Sequence, residues 1–141
     1  MPTDLWPQGE TSQLPGEYYV TCKCSGAIAE NDVVLLLTAA STGDIVPVVK
    51  KSDANDSGLV YGVAGETKLD GEYIKIKKAP GYAKAKVTCS TVAIVVGDFL
   101  ASDNGGGCKE AAAAANSGQI LGRSIHATVT MNDEIVFDLL C

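Results

Sequence analysis

Cysteine and histidine are the residues of this chain whose types and spacing could support chemistry. Cys22 and Cys24 lie two residues apart, and His126 is the single histidine of the 141 residues. A thiol paired with an imidazole could act as the nucleophile of a small hydrolase. We favour the alternative, that the thiols are buried as small apolar side chains, because His126 falls on the polar face of a predicted strand. We therefore assign no catalytic residue and expect no enzyme activity.

The same two cysteines could instead bind a metal ion. Side chains two apart in a strand share one face, but neither a Cys-x-x-Cys pair nor a nearby histidine completes the four ligands of a zinc site. Five cysteines are an odd number, and the chain start lacks the apolar segment of a secretion signal. Free thiols are therefore favoured over disulfides. We predict no metal and no cofactor.

Two further motifs are explained by turns. The triple glycine 105–107 lacks the following Lys-Ser/Thr of a phosphate-binding loop, so it predicts an ordinary loop. The carboxylate pairs Asp53 with Asp56 and Asp133 with Glu134 stand in turn-like sequence, where such side chains support the backbone.

Composition excludes several partner classes. The net charge of -6 repels a polyanion, so nucleic acid is not expected as a partner. The longest apolar runs, 33–37 and 92–96, are far below the roughly 18 residues that span a bilayer, so no membrane contact is expected. With 141 residues the chain fits one domain with a sizeable core, and we expect it to be made in the cytoplasm.

Short motifs occur twice, about 60 residues apart. The sequence Val-Thr-Cys at 20–22 is repeated at 87–89, and Asn31-Asp32-Val33 is matched by Gly97-Asp98-Phe99. The segment 58–62 is matched by 118–122, and 71–76 by 133–138. A duplicated supersecondary unit buries an apolar face that neither copy buries alone. The repeat predicts one closed body built from two similar halves, about 18–78 and 85–141.

The elements that carry these motifs are short β-strands separated by turn residues. The pattern predicts an all-β barrel or sandwich with strands near 18–24, 33–37, 45–49, 59–66, 72–77, 84–89, 99–101, 119–130 and 134–140. Lys109-Glu110 and the five alanines after them have high helix propensity. Because so short a helix is marginal, we expect a strand end followed by a loop there, with a single helical turn as the alternative.

Residues 1–17 contain three prolines and two glycines, which predict an extended N-terminal arm. The arm carries Leu5 and Trp6, the only tryptophan. Trp6 either folds back onto its own barrel or anchors the arm in a neighbouring subunit, since large aromatic side chains dominate interface energetics.

Lysines are concentrated in one part of the chain. Six of the eleven basic residues fall between Lys68 and Lys86. Alternation places Tyr73, Lys75 and Lys77 on one face of a strand and Ile74 and Ile76 on the other. This face is either a docking surface for an acidic protein or a solvated surface that discourages edge pairing.

The duplicated strand starts, the glycine pairs at 58–62 and 118–122 and the final Asp133-Glu134-Ile135-Val136 strand resemble small capsid decoration, or cement, proteins of tailed bacteriophages. The likeness covers residues from about 18 to 141. It implies a compact β-barrel or β-tulip module, commonly a homotrimer, on the outer surface of the virion and assembled in the host cytoplasm. The implied partner is the major capsid protein, and the implied role is capsid stabilisation without catalysis.

The contact residues that we expect for this role are aromatic or aliphatic side chains with lysines beside them. We expect the capsid or subunit interface to include Leu5, Trp6, Tyr18 and Tyr19, with Lys75, Lys77 and Lys84 beside them. The alternative is a biotinyl or lipoyl carrier, which also has two similar halves and presents a lysine at a hairpin tip, here Lys68. Each half of this chain is longer than that fold requires.

Overall fold

The fold of the chain is all-β, as the sequence predicts. The computed structural model describes residues 18–38, 46–53, 59–88, 94–111, 120–127 and 134–141. These residues form ten strands and one short 3-10 turn. Leu5 and Trp6 lie outside the described residues, and the division into an arm and a single domain stays a prediction.

Five strands of the first half close into a barrel. They are β1 Tyr18–Cys24, β2 Val33–Leu36, β3 Val48–Lys51, β4 Leu59–Ala64 and β5 Tyr73–Lys78. Their order around the barrel is β1-β3-β2-β4-β5, and β5 pairs again with β1. All pairs are antiparallel except β1 with β3.

The five strands of the second half repeat this arrangement. They are β6 Tyr82–Lys86, β7 Phe99–Ser102, β8 Cys108–Glu110, β9 Ile120–Ser124 and β10 Glu134–Leu139. They form a sheet in the order β6-β10-β9-β7-β8. A single parallel bridge from Val87 to Cys108 joins the ends of the sheet, where the first half has the Cys24 to Val49 pair. The second half is therefore a more open version of the first.

The duplication extends to one irregular position. Between β2 and β4, Val34 pairs with Gly62 and Leu35 with Val60, so that Tyr61 is left over as a bulge. Between β7 and β9, Leu100 pairs with Gly122 and Ala101 with Ile120, which leaves over Leu121. An extra residue at the same place in both halves bends the two halves alike.

The strand pairing corrects two alignments of the repeat. Ile76 is equivalent to Phe137 and not to Asp138, because Ala64 pairs with Ile76 as Ser124 pairs with Phe137. The two Val-Thr-Cys segments are not equivalent, because Cys24 occupies the bridge position that Val87 occupies in the second half. The residue equivalent to Val20 is therefore Ala83, because Val20 pairs with Ile76 as Ala83 pairs with Phe137. The three-residue match is a coincidence of β-prone residues, and Cys89 lies outside the described residues.

The matched strand starts have a physical role. The N–H of Asp32 donates to the carbonyl of Ala29 at 3.0 Å, and the Asp32 carboxylate accepts the N–H of Ala29 at 2.8 Å. The Val95 to Asp98 turn has the same pair of bonds, at 3.1 and 2.9 Å. In both turns the residue before the aspartate has a positive φ, 71° at Asn31 and 96° at Gly97, which Asn and Gly tolerate.

Several predicted strand bounds are wrong. The strand predicted at 119–130 ends at Ser124, because residues 125 and 126 form a bend; residues 128–130 lie outside the described part. The strand predicted at 84–89 spans Tyr82–Lys86, and that at 45–49 spans Val48–Lys51. The strand end predicted near Lys109 is confirmed by β8, whereas residues 112–119 are not described.

The buried apolar side chains of the described residues form two clusters. The inner side chains of the first barrel form one, which includes Cys22, Cys24 and Ile74. The second cluster joins the inner side chains of the second sheet, such as Phe137, to outward side chains of β2 and β4, such as Val63. The first barrel thus uses its outer surface to complete the core of the second half. The sequence predicted one closed body with a single interior. The structure instead has one core inside the first barrel and a second core to which both halves contribute.

A polar seam also joins the halves. Ser52, almost fully buried, donates from its hydroxyl to the carbonyl of Asp103 at 2.7 Å. Its own carbonyl accepts the N–H of Gly106 at 3.0 Å. A Cβ on Gly106 would lie 2.5 Å from the Asp32 carboxylate, so the triple glycine is more than a surface loop. It allows the second half to approach the first without a steric clash.

No helix among these residues is long and apolar enough to cross a membrane.

Candidate interaction surface

Two adjacent strands bring together four of the seven predicted contact residues. β1 and β5 are antiparallel, with Tyr18 opposite Lys78, Tyr19 opposite Lys77 and Thr21 opposite Lys75. Alternation directs Tyr19, Lys75 and Lys77 to the outer face of the barrel. Tyr18 belongs to the other row, yet 56% of its surface is exposed because it lies at the barrel mouth. These four residues are therefore spread over one rim and one outer face.

Lys84 lies on a different ribbon. Its strand β6 pairs with β10, where Lys84 is opposite Val136 and Lys86 opposite Glu134. No strand pairing joins β5 to β6 in the described sheets. The structure therefore places Lys84 on a mixed-charge surface of the second half and not in the Tyr19 to Lys75 row.

The sequence interpretation did not select Tyr73. It lies opposite Lys23 on the outer face and is among the most exposed large side chains. The period-two alternation already places it beside Lys75, so the signal was present in the sequence. With Tyr19 and Lys77 it extends the aromatic and basic row along the whole β1–β5 ribbon.

Lys78 differs from the neighbouring lysines because it points into the mouth of the barrel. Its Nζ donates to the carbonyl of Tyr61 and lies 3.8 Å from the centroid of the Tyr61 ring. A cation over an aromatic face is stabilised by the ring quadrupole. Lys78 therefore has a structural role, since it holds the bulge at Tyr61 against the end of β5.

Cys22 and Cys24 lack the properties of a nucleophile. Cys22 and Cys24 are buried, and burial raises the pKa of the Cys22 thiol to about 11. Burial, followed by the nearby Glu72 carboxylate, also raises the pKa of Cys24. His126 lies in an exposed bend after β9. The structure therefore does not bring these residues together as the hydrolase hypothesis requires.

The other chemical hypotheses have no support in the described part of the chain. No group of three or more His, Cys, Asp or Glu residues is placed there to hold a metal ion. Lys68 is half-buried, and its backbone forms a two-bond bridge with Ile28. The hairpin tip is formed instead by residues 69–71, so Lys68 is not presented as a carrier lysine would be.

A second surface was missed by the sequence interpretation. On β7 and β9, Phe99 lies opposite Arg123, and the guanidinium carbon lies 4.7 Å from the centroid of the ring. Phe99 is 44% exposed, and the exposed side chains of Val95 and Val96 precede it in the turn. We call Phe99, Arg123, Val95 and Val96 the β7–β9 patch. A single outward Phe in a strand has no sequence signal that separates it from a core residue.

Comparison with known proteins shows what the fold is similar to. No family model matches the sequence, and no curated protein matches it either. Among solved structures, the chain is similar to the N base of head fiber gp8.5 in bacteriophage phi29. The TM-score is 0.62 at 13% identity, over 88% of this chain and 94% of that one. The chain therefore shares its fold, over nearly the full length of both proteins, with the base of a bacteriophage head fiber.

Proposed function

We propose that this protein is a structural virion protein that binds the outside of a phage head and stabilises the assembled capsid. The observation that carries the proposal is the fold similarity to the head fiber base of phi29, which spans 88% of this chain. The capsid decoration proteins that the sequence resembles have the same kind of role. The two lines of support are separate, because the resemblance rests on short motifs and the similarity on the fold.

The physical basis of such a role is preferential binding. A protein that binds only the assembled shell stabilises the shell by mass action. Many identical weak contacts on one particle act together. This role requires an adhesive outer surface, and the aromatic and basic row of β1 and β5 supplies one, in which Tyr73 and Lys75 are exposed and Tyr19 and Lys77 are half-buried.

We propose that the partner is the major capsid protein and that the contact is centred on the β1–β5 side of the first barrel. Tyr18 and Tyr19 begin β1, directly after the segment that carries Leu5 and Trp6. Lys75 and Lys77 lie across from β1 on the same barrel. Aromatic side chains next to lysines suit an acidic, partly apolar capsid surface. Lys84 lies on the second half and is the member of the proposed contact set on a different ribbon from the other lysines.

The direct test uses phage heads that lack the protein. Purified protein is added, the heads are sedimented, and the bound copies are counted by native mass spectrometry. Heads with and without it are then heated, and genome release is followed with a DNA dye. We expect saturable binding and release at a higher temperature. The absence of co-sedimentation, or equal release temperatures, would contradict the proposal.

Deletion of residues 1–15 tests the role of the N-terminal segment. We expect the truncated protein to retain the fold, because every described strand lies beyond the deletion. Binding to heads should weaken, because Leu5 and Trp6 are lost. The matched control is Leu69→Ser, an exposed apolar side chain at the β4–β5 hairpin tip, which should bind as the parent does. Equal binding by the truncated protein would remove Trp6 from the contact.

A further inference from the structure

The contact between the two halves provides a template for a contact between molecules. Strand β4 lies against β6 and β9 of the second half. Its outward side chains Val60 and Val63 share one apolar cluster with Ala83 of β6. The outer face of the first half thus covers the start of the first strand of the second half, and Ala83 is left only 2% exposed.

Pseudo-symmetry identifies the equivalent covering face on the second half. Val33 pairs with Val63 in the first half, and Phe99 pairs with Arg123 at the same position in the second. Val33 and Val63 are fully buried, whereas Phe99 is 44% exposed. The β7–β9 patch is therefore the counterpart of a buried covering face, but it is left uncovered.

The equivalent of the covered site lies on the first half. Ala83 pairs with Phe137, and Val20 pairs with Ile76, the residue equivalent to Phe137. Val20 belongs to the inward row of β1, which continues with the buried Cys22 and Cys24. Even so, Val20 is 36% exposed and Tyr18 is 56% exposed. Among the described residues, none covers the mouth of the first barrel at Tyr18 and Val20, whereas the equivalent Ala83 of the second half is covered.

We propose that the β7–β9 patch of one molecule binds the Tyr18–Val20 mouth of a second copy of this chain, as the β2–β4 face covers β6 within the molecule. The two surfaces differ, so the contact is head-to-tail. Contacts of this kind close into rings when the rotation allows. The proposal does not depend on binding to a capsid. It assigns Tyr18 to the contact between copies and leaves Tyr19, Lys75 and Lys77, on the outer face of the barrel, to the capsid contact.

The chemistry of the two surfaces suits this pairing. The patch presents an aromatic ring with a guanidinium over it, and the mouth presents Tyr18 beside Val20. Aromatic residues and arginine are the side chains most enriched at the energetic centres of interfaces. Lys78 lies opposite Tyr18 in the β1–β5 register, but its Nζ is held by the carbonyl and the ring of Tyr61. The apolar contact of Phe99 with Val20 and Tyr18 therefore carries the pairing, and Arg123 lies at its rim.

A complementation experiment distinguishes this contact from every symmetric one. Phe99→Asp blocks the patch and leaves the mouth intact, while Val20→Asp blocks the mouth and leaves the patch intact. We measure mass by sedimentation equilibrium and native mass spectrometry, with circular dichroism to verify folding. The parent protein should form a closed oligomer, and each variant alone should be monomeric, with self-affinity at least about thirtyfold weaker. A mixture of the two variants should form a one-to-one dimer and nothing larger.

The control is Leu69→Asp, which places the same charge on an exposed apolar residue outside both surfaces and should keep the parent mass. Where Val20→Asp fails to fold, Tyr18→Asp replaces it, since Tyr18 is more exposed. A monomeric parent protein, a Phe99→Asp variant of parental mass, or a mixture that stays monomeric would each overturn the proposal.

Discussion

Burial sets the pKa values, and thereby the reactivity, of the cysteine thiols in this protein. Cys22 is fully buried, and Cys108 carries the largest effect, because burial, with the Asp103 carboxylate as the second cause, raises the pKa of its thiol to about 12. Cys141, only partly buried, has its pKa raised to about 11, again mainly by burial. A thiol that stays protonated at neutral pH is a poor nucleophile.

This predicts a labelling pattern. Iodoacetamide at pH 8 should leave Cys22, Cys24 and Cys108 unmodified in the native protein, because both access and thiolate are lacking. After unfolding in guanidinium chloride, all three should react. Peptide mapping by mass spectrometry measures each site separately. Modification of Cys22 in the native protein at the rate of free cysteine would contradict the burial that the structure shows.

A second residue-scale prediction concerns Glu110. A hydrogen bond with the Asp98 carboxyl, followed by burial and the Asp98 charge, raises the pKa of Glu110 above its usual 4.5. The native state therefore binds a proton more tightly than the unfolded state, and stability falls as pH rises through this range. Above that range Glu110→Gln should unfold at a higher temperature than the parent, because an amide donates to Asp98 without a charge.

The gain should disappear below pH 4.5, where Glu110 is protonated in both states. Thermal unfolding at pH 4 and pH 7 measures the difference. Glu134→Gln is the matched control, since it removes the same charge from an exposed position on β10. A variant no more stable than the parent at pH 7 would contradict the carboxyl pair.

At the scale of elements, the two halves have the same tolerance for substitution at equivalent positions. A Cβ on Gly62 would collide with the Lys77 carbonyl oxygen, and a Cβ on Gly122 with that of Asp138. Both glycines follow the bulge residue and lie against the last strand of their half. A clash with backbone cannot be relieved by a rotamer change.

Gly62→Ala and Gly122→Ala should therefore each lower the free energy of unfolding by about 3 kcal/mol or more, the upper end of ordinary over-packing. Gly71→Ala is the control, because its φ of 82° is strained for alanine but nothing lies within 4 Å of its Cβ. It should cost about 1 to 2 kcal/mol. Urea unfolding of the three variants compares them. Equal losses at Gly62 and Gly71 would exclude the backbone clash.

At the scale of the whole molecule, the halves depend on each other unequally. The first half has a private core and a closed barrel, whereas the second half shares its core with Val33 and Val63 of the first. The Ser52 to Gly106 bond adds a polar link at the same seam. Removal of the first half would expose the inner apolar face of the second sheet.

A fragment of residues 80–141 should therefore be unfolded by circular dichroism and gain strand signal when the fragment 1–79 is added. Burial of the inner face, which includes Phe137 and Leu100, requires the covering strands β2 and β4. The matched control is the 1–79 fragment alone, which should retain more strand signal because its barrel closes on itself. A cooperative thermal transition for 80–141 by itself would contradict the shared core.

The sequence by itself determined the local features of this protein. Alternation predicted the inward and outward rows of β5, and the Asn31-Asp32 and Gly97-Asp98 pairs predicted where β2 and β7 begin. These features depend on neighbouring residues, whose preferences can be read in a single segment. The match of Gly62 with Gly122 also predicted the duplication, because each glycine lies against the backbone of the last strand of its half.

Only the tertiary structure decided which of two equivalent residues in the two halves is buried. Val33 and Phe99 stand at equivalent positions and are both apolar, yet one is buried and the other exposed. Val20 and Ala83 show the same contrast, and the lysines at 75, 77 and 84 were separated onto two ribbons. Burial of an outward side chain depends on what a distant part of the chain places against it, and local sequence carries no record of that partner.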